Sequence, residues 1–168
     1  METYHVFNQR KTKQLWLKRI GWIKPVYELT DGAFSYGSLS YYGFINRVTQ
    51  LETANEGWMI RNAGFFKMEI STADGRVAGY IKRNWLSSKI EFIGADGFSA
   101  LYYRLSIWRS EFVWVINEDQ TLIHIDSGGL MGKIVVTFAD FAYEQPYLLL
   151  LALLSLDFDL TRRRHIAV

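Results

Sequence analysis

Residues 147–156 read Tyr-Leu-Leu-Leu-Leu-Ala-Leu-Leu-Ser-Leu, and this stretch decides the fold. Leu and Ala are strong helix formers, and the run holds no β-branched residue. Pro146 stands where a first helical turn would begin, and Glu144 brings negative charge near that positive end. The pattern predicts a helix of about three to four turns. Leu148, Leu149, Leu151, Ala152, Leu153 and Leu156 point in every direction around such a helix, so no polar face is left for solvent. A helix of this kind has to be surrounded, by protein or by lipid.

Lipid fits poorly. A spanning helix needs about 20 apolar residues. Glu144, Gln145 and Pro146 close this run on one side and Asp157 and Asp159 on the other, and carboxylates are costly in hydrocarbon. Only Arg162-Arg163-Arg164 resembles the cytoplasmic flank of a span. A helix threaded through a closed β-barrel fits better. Roughly 10–15 residues at about 1.5 Å each give about 15–22 Å, the height of a small barrel.

Working outward, the preceding sequence reads as β. Asp31-Gly32, Asp74-Gly75 and Asp96-Gly97 are hairpin-turn pairs, and Asn55-Glu56-Gly57, Asn62-Ala63-Gly64, Asn117-Glu118-Asp119 and Ser127-Gly128-Gly129 punctuate the chain in the same way. Strands are predicted at 4–7, 15–20, 26–29, 33–39, 44–52, 58–61, 65–70, 76–83, 89–93, 101–108, 112–117, 121–126 and 133–138. Residues 101–108 alternate with period two, which predicts Leu101, Tyr103, Leu105 and Ile107 as the face that touches the helix. The near-wholly apolar 112–117 predicts a strand covered on both faces. The expected architecture is therefore mainly β. It is a closed antiparallel barrel of about twelve strands enclosing one C-terminal hydrophobic helix, in a single domain over 1–168.

Composition agrees with one core-forming domain. The 168 residues are 49% hydrophobic, 16% aromatic and 21% charged. The chain has no Cys, which removes disulfide frameworks, thiolate metal sites and thiol nucleophiles. No apolar stretch of signal-peptide type lies in residues 1–10, so the expected location is cytoplasmic, peripheral to the membrane if lipid is the partner. A net charge of +2 gives no reason to expect a nucleic-acid partner. The charge is uneven: Arg10, Lys11, Lys13, Lys18, Arg19 and Lys24 face Glu2 alone over residues 1–24. A second basic run, Arg162-Arg163-Arg164, lies near the C-terminus. The two runs are either solvated termini or a surface that meets phosphates.

No catalytic constellation, metal site or cofactor is expected. His5, His124 and His165 lack metal-ligand spacing. Gly97-Phe98-Ser99-Ala100-Leu101 misses the last glycine of a nucleophile elbow. Gly128-Gly129-Leu130-Met131-Gly132-Lys133 misses the first glycine of a phosphate loop and has Ile134 in place of Ser or Thr, so it reads as a hairpin turn. Asp157 and Asp159 are expected to meet Arg162 to Arg164 or to end the helix at solvent. Trp85, Trp108 and Trp114 read first as packing residues.

Two stretches carry a resemblance. Ser71-Thr72-Ala73-Asp74-Gly75-Arg76-Val77 runs into Tyr80-Ile81-Lys82-Arg83, and a hydrophobic helix closes on Asp157. Together with the strand pattern they resemble the tubby-like superfamily, which includes Tubby C-terminal domains, phospholipid scramblases and plant LURP-one-related proteins. The resemblance implies a twelve-stranded barrel around a central hydrophobic helix. It also implies phosphoinositide binding through clustered Lys and Arg on the barrel surface, with Lys82 and Arg83 nearest by position. Asp74 and Gly75 are adjacent here, whereas the family spaces them. The chain shows neither the Pro-rich, Cys-bearing arm nor the terminal membrane segment of scramblases, so lipid scrambling is not expected. The functional expectation is a non-enzymatic barrel that binds anionic lipid or phosphoinositide through Lys82, Arg83, Lys11, Lys13, Lys18 and Arg19. The alternative is a soluble protein-interaction or scaffold module without a small-molecule ligand, its contact patch drawn from Phe112 to Ile116, Tyr41, Tyr42 and Trp108.

Overall fold

Twelve short strands follow one another along the chain, each antiparallel to its sequence neighbour: β1 (Gln14–Ile20), β2 (Val26–Thr30), β3 (Ser35–Tyr42), β4 (Val48–Thr53), β5 (Gly57–Asn62), β6 (Lys67–Thr72), β7 (Val77–Arg83), β8 (Ile90–Gly94), β9 (Ser99–Arg104), β10 (Glu111–Ile116), β11 (Gln120–Asp126) and β12 (Val135–Phe138). A computed structural model describes residues 4–21, 23–43, 48–84, 86–106, 108–117, 119–128 and 132–166, at 144, 165 and 166 for the backbone alone. β1 pairs with β12 in the register Gln14↔Thr137, Leu15↔Val136 and Trp16↔Val135, which closes the barrel and leaves no free edge. A short 3-10 helix (Asp140–Glu144) then leads to α1 (Leu148–Ile166), which runs through the barrel.

Alternate residues of each strand face inward. Leu15, Leu39, Leu51, Ile60, Ile70, Ile81, Phe92 and Trp114 are buried against the helix or its surroundings. Every residue from 150 to 159 of α1 is buried, so the expectation of a helix enclosed on all sides holds over this stretch. Leu149 differs: it is half-buried at the barrel end where the helix enters. The helix leans on β3 and β4. A Cβ at Gly37 of β3 would lie 2.6 Å from the Glu52 carbonyl oxygen of β4, so only glycine fits there, and a Leu153 methyl of the helix comes to 3.4 Å of the same position. The opposite wall, β8 to β10, fills the wider gap with Phe92, Tyr102 and Trp114. Trp114 Nε1 donates to the Leu151 carbonyl at 3.1 Å and to Ser155 Oγ at 2.7 Å, and Ser155 Oγ donates to the same carbonyl at 2.8 Å. The polar atoms of this core are thereby satisfied within it.

Five sequence expectations need correction. The helix has 19 residues, about 28 Å, rather than ten to fifteen. Of the two alternatives for Asp157 and Asp159, pairing with the following arginines holds for Asp159, which meets Arg162 and Arg163, but neither residue ends the helix at solvent: Thr49 Oγ1 donates to Asp157 at 3.5 Å and Ser127 Oγ to Asp159 at 2.8 Å. Pro146 does not open the first turn. Tyr147 stands between it and the helix in a left-handed conformation, φ 62°, with its ring packed 5.1 Å from Phe92 and 5.6 Å from Phe98.

The phase of β9 is the reverse of the expected one. Ala100 and Tyr102 face the helix, Leu101 and Tyr103 lie half-buried on the outside, Leu105 is exposed beyond the strand, and Ile107 lies outside the described residues. Tyr102 is as large an apolar body as any leucine. Its ring packs 5.3 Å from Phe158 and 5.1 Å from Trp114, which the helix side of the barrel rewards more than it would Leu101. Finally, residues 4–7 form no strand. Tyr4 donates to Ser38 Oγ at 2.7 Å and the His5 amide to the Ser35 carbonyl at 2.9 Å, so the segment is tied to β3 without joining the sheet.

The packing makes a graded prediction. Leu151→Ala and Leu153→Ala each remove about 2–5 kcal/mol of stability, while Leu149→Ala costs distinctly less, as urea unfolding will show. Leu151→Asp yields no cooperative transition, because an unpaired charge would sit in the core.

Candidate functional site

In an up-and-down barrel every second connection lies at the same end. Where the helix enters, the connections are 31–34, 54–56, 73–76, 95–98, 117–119 and 139–147, and they hold the Asp-Gly turns and eight of the chain's carboxylates against Arg76. Where the helix leaves, they are 21–25, 43–47, 63–66, 84–89, 105–110 and 127–134. The sequence of these six, with 161–168 after them, carries eight Lys and Arg and no Asp or Glu. The barrel thus has an acidic end and a basic end.

A cleft of about 570 Å³ opens at the basic end, beside the emerging helix. Register explains its lining. Arg83 of β7 lies opposite Ile90, Ile90 opposite Tyr102, and Arg104 opposite Phe112, all in the inward-facing phase at the rim. Tyr102 and Phe112 stack at 5.5 Å with an interplanar angle of 3°, and with Phe158 they form an apolar floor. Arg83, Arg104 and Arg162 stand around it. The Arg162 guanidinium lies 4.5 Å over the Phe112 ring, and that of Arg83 lies 5.7 Å from Phe158. No carboxylate among the described residues is ion-paired with Arg83.

One carboxylate lines the cleft, and it is already engaged. The Asp159 side chain is fully buried and accepts from Ser127 Oγ at 2.8 Å, from Arg163 Nε at 2.6 Å and from Arg162. Arg163 also donates to the carbonyls of Gly132 and Ser127, which stitches the helix end to the β11–β12 connection. Two guanidinium groups share one carboxylate, so the cluster keeps a net positive charge. The Arg162 Nε has no partner among the described residues. Burial, with the Asp159 charge adding to it, pushes the Tyr102 phenol far above its ordinary value, so its hydroxyl stays neutral. Guanidinium groups over an apolar floor suit a phosphate ester: the planar forks match its oxygens, and the rings accept the carbon skeleton.

The candidate residues are scattered. Arg83 lines the cleft, whereas Lys82 points outward from β7 opposite Glu91. Lys18 and Arg19 are exposed on β1 toward the basic end. Lys11 and Lys13 precede β1 at the acidic end, where Lys13 pairs with Asp140. Arg104 is not among the expected residues, and Arg162 belongs to the basic run near the C-terminus; the two complete the cleft with Arg83. Residues 112–116 are almost wholly buried on both faces, which withdraws them from any contact patch; Trp114 is in the core, Tyr41 is half-buried, and Tyr42 and Trp108 are exposed. Trp85 lies outside the described residues. His5 packs 3.9 Å from Phe34, while His124 lies on β11 opposite Val113. No group of three His, Cys, Asp or Glu among the described residues could hold a metal ion, and no described helix is long and apolar enough to cross a membrane.

The Asp159 clamp can be tested alone. Asp159→Asn leaves Arg162 and Arg163 without their counter-charge and lowers stability by about 3 kcal/mol, while Ser127→Ala costs about 1 kcal/mol; urea midpoints measure both. Comparison of the chain with protein-family models, with curated proteins and with solved structures finds no match.

Proposed function

We propose that this protein is a non-enzymatic, tubby-like barrel that binds the headgroup of an anionic lipid, a phosphoinositide fitting best, in the cleft of Arg83, Arg104 and Arg162. One observation carries the reading. Three guanidinium groups surround an aromatic floor, and the carboxylate beside them is already committed to two arginines. The helix-filled interior supports it further, since an acyl chain has no cavity to enter and recognition falls to the headgroup. A cytoplasmic protein peripheral to the membrane follows from the same reading. The near-complete exposure of Trp108 favours a second one, an interaction module for a protein partner.

Calorimetric titration with soluble inositol bisphosphate separates the two. Arg83→Ala and Arg104→Ala each weaken binding by about tenfold or more, as expected for lost charge-assisted hydrogen bonds. Lys11→Ala and Lys13→Ala, at the opposite end, leave it unchanged. Added salt weakens binding throughout. Absence of any binding by the unaltered protein would sink the headgroup reading and favour the module.

A further inference from the structure

The connections at the basic end share a second property. Ile23 between β1 and β2 is 93% exposed, Phe65 between β5 and β6 is 97%, Leu86 between β7 and β8 is 75%, and Trp108 between β9 and β10 is 96%. These are the tips of four separate hairpins, all at the end where the helix emerges. The acidic end has less among the described residues: its exposed aromatics Phe34 and Tyr143 are more than half covered, and Val6, at 64%, is its one strongly exposed apolar side chain. Isolated apolar residues on a surface are ordinary, but four hairpin tips at one pole are not. Phe66, beside Phe65, holds a left-handed backbone, φ 60°, which is unfavourable for so bulky a residue. This turn accepts backbone strain and apolar exposure together, the pattern of a site kept for function rather than stability.

We propose that these four tips insert into the boundary between headgroups and acyl chains of an anionic bilayer, with the barrel axis along the membrane normal. The inference deepens the headgroup reading, and takes from it only the choice of lipid. Charge complementarity selects the occupant. The segments that bear the tips carry the cations Lys24, Lys89 and Arg109 and no carboxylate, Arg109 lying 3.6 Å from Glu111 at the start of β10. A surface of negative lipid satisfies them all at once. A second copy docked face to face would bring these cations against their own duplicates. Docked end to end, it would set the apolar tips on Asp-Gly turns. The outward faces of the strands fix the orientation, since Glu52, Glu69, Lys82 and Glu91 keep the barrel wall out of hydrocarbon.

Vesicles of phosphatidylcholine with phosphatidylserine, and of phosphatidylcholine alone, test this by sedimentation at low and high salt. The expected result is binding to the anionic vesicles that high salt weakens but does not abolish, because the inserted side chains are not screened. Phe65→Ser and Trp108→Ser each reduce it by about tenfold to a hundredfold, the value of burying one large apolar side chain. Both variants keep the thermal transition of the parent, as exposed positions should, and Phe34→Ser at the acidic end changes nothing. Acyl-chain bromination quenches tryptophan fluorescence, and less so in Trp108→Phe. Serine variants that bind as the parent does, or a Phe34→Ser variant equally impaired, would overturn the proposal. So would a dimer that Trp108→Ser dissolves in light scattering. Vesicle binding that fails while soluble inositol bisphosphate still binds overturns insertion alone, and the converse result overturns the cleft alone.

Discussion

A stretch of helix buried on every side is the constraint from which the rest of this structure follows. Residues 150–159 have no solvent face, so protein must surround them completely, and a sheet that surrounds a helix must close. The helix does not sit on the axis. It leans on β3 and β4, and the aromatic wall of β8 to β10 makes up the difference. Trp114 bridges that wall to the helix backbone through Leu151 and Ser155. Ring packing and hydrogen bonding thereby fix the helix in rotation as well as in position.

A filled barrel has no interior to offer a ligand, and its wall is a hydrogen-bonded sheet with charged outer faces. The two ends remain. Because the strands run up and down in sequence order, odd and even connections are sorted to opposite poles, and their compositions diverge completely. Turns of Asp-Gly type gather at one pole. Longer connections with Lys, Arg and exposed apolar side chains gather at the other, where the arginines at the end of α1 also complement its negative pole. The Asp159 clamp belongs to both orders of structure: it secures the helix terminus to the β11–β12 connection and leaves an unneutralised guanidinium charge beside the cleft.

Much of the architecture is legible in the chain, because an all-apolar helix and a dozen turn-bounded segments leave few alternatives. The errors occur where a second physical effect competes. Residues 101–108 alternate cleanly, but both phases hold large apolar groups, and only the helix surface decides for Tyr102 over Leu101. Asp157 and Asp159 look like terminators until their buried partners Thr49 and Ser127, from distant strands, are in place. Tyr4 to Phe7 has strand-like residues but no free edge to join once β12 has closed on β1. Of the cleft, Arg83 could be picked out beside its strand. Arg162 stands out only as part of a basic run and Arg104 not at all, since nothing in linear order brings β9 and the end of α1 together. Alternate connections differ in sign of charge, which becomes visible once the segments are numbered as strands.

The position of α1 after all twelve strands bears on how the molecule comes to be. The centre of its core is synthesised after its wall, and the strand that shuts the barrel pairs with the first, across more than a hundred intervening residues. No early portion of the chain can mature alone, because its inward leucines and isoleucines have nothing to cover until the helix exists. The contacts of the helix with the early strands, and of β1 with β12, are therefore distant in sequence, the condition that slows folding, while the other strand pairings join neighbours. A nascent chain leaving the ribosome carries unsealed sheet edges and a row of exposed aliphatic side chains until α1 emerges, and its need for chaperone cover is greatest just before that point.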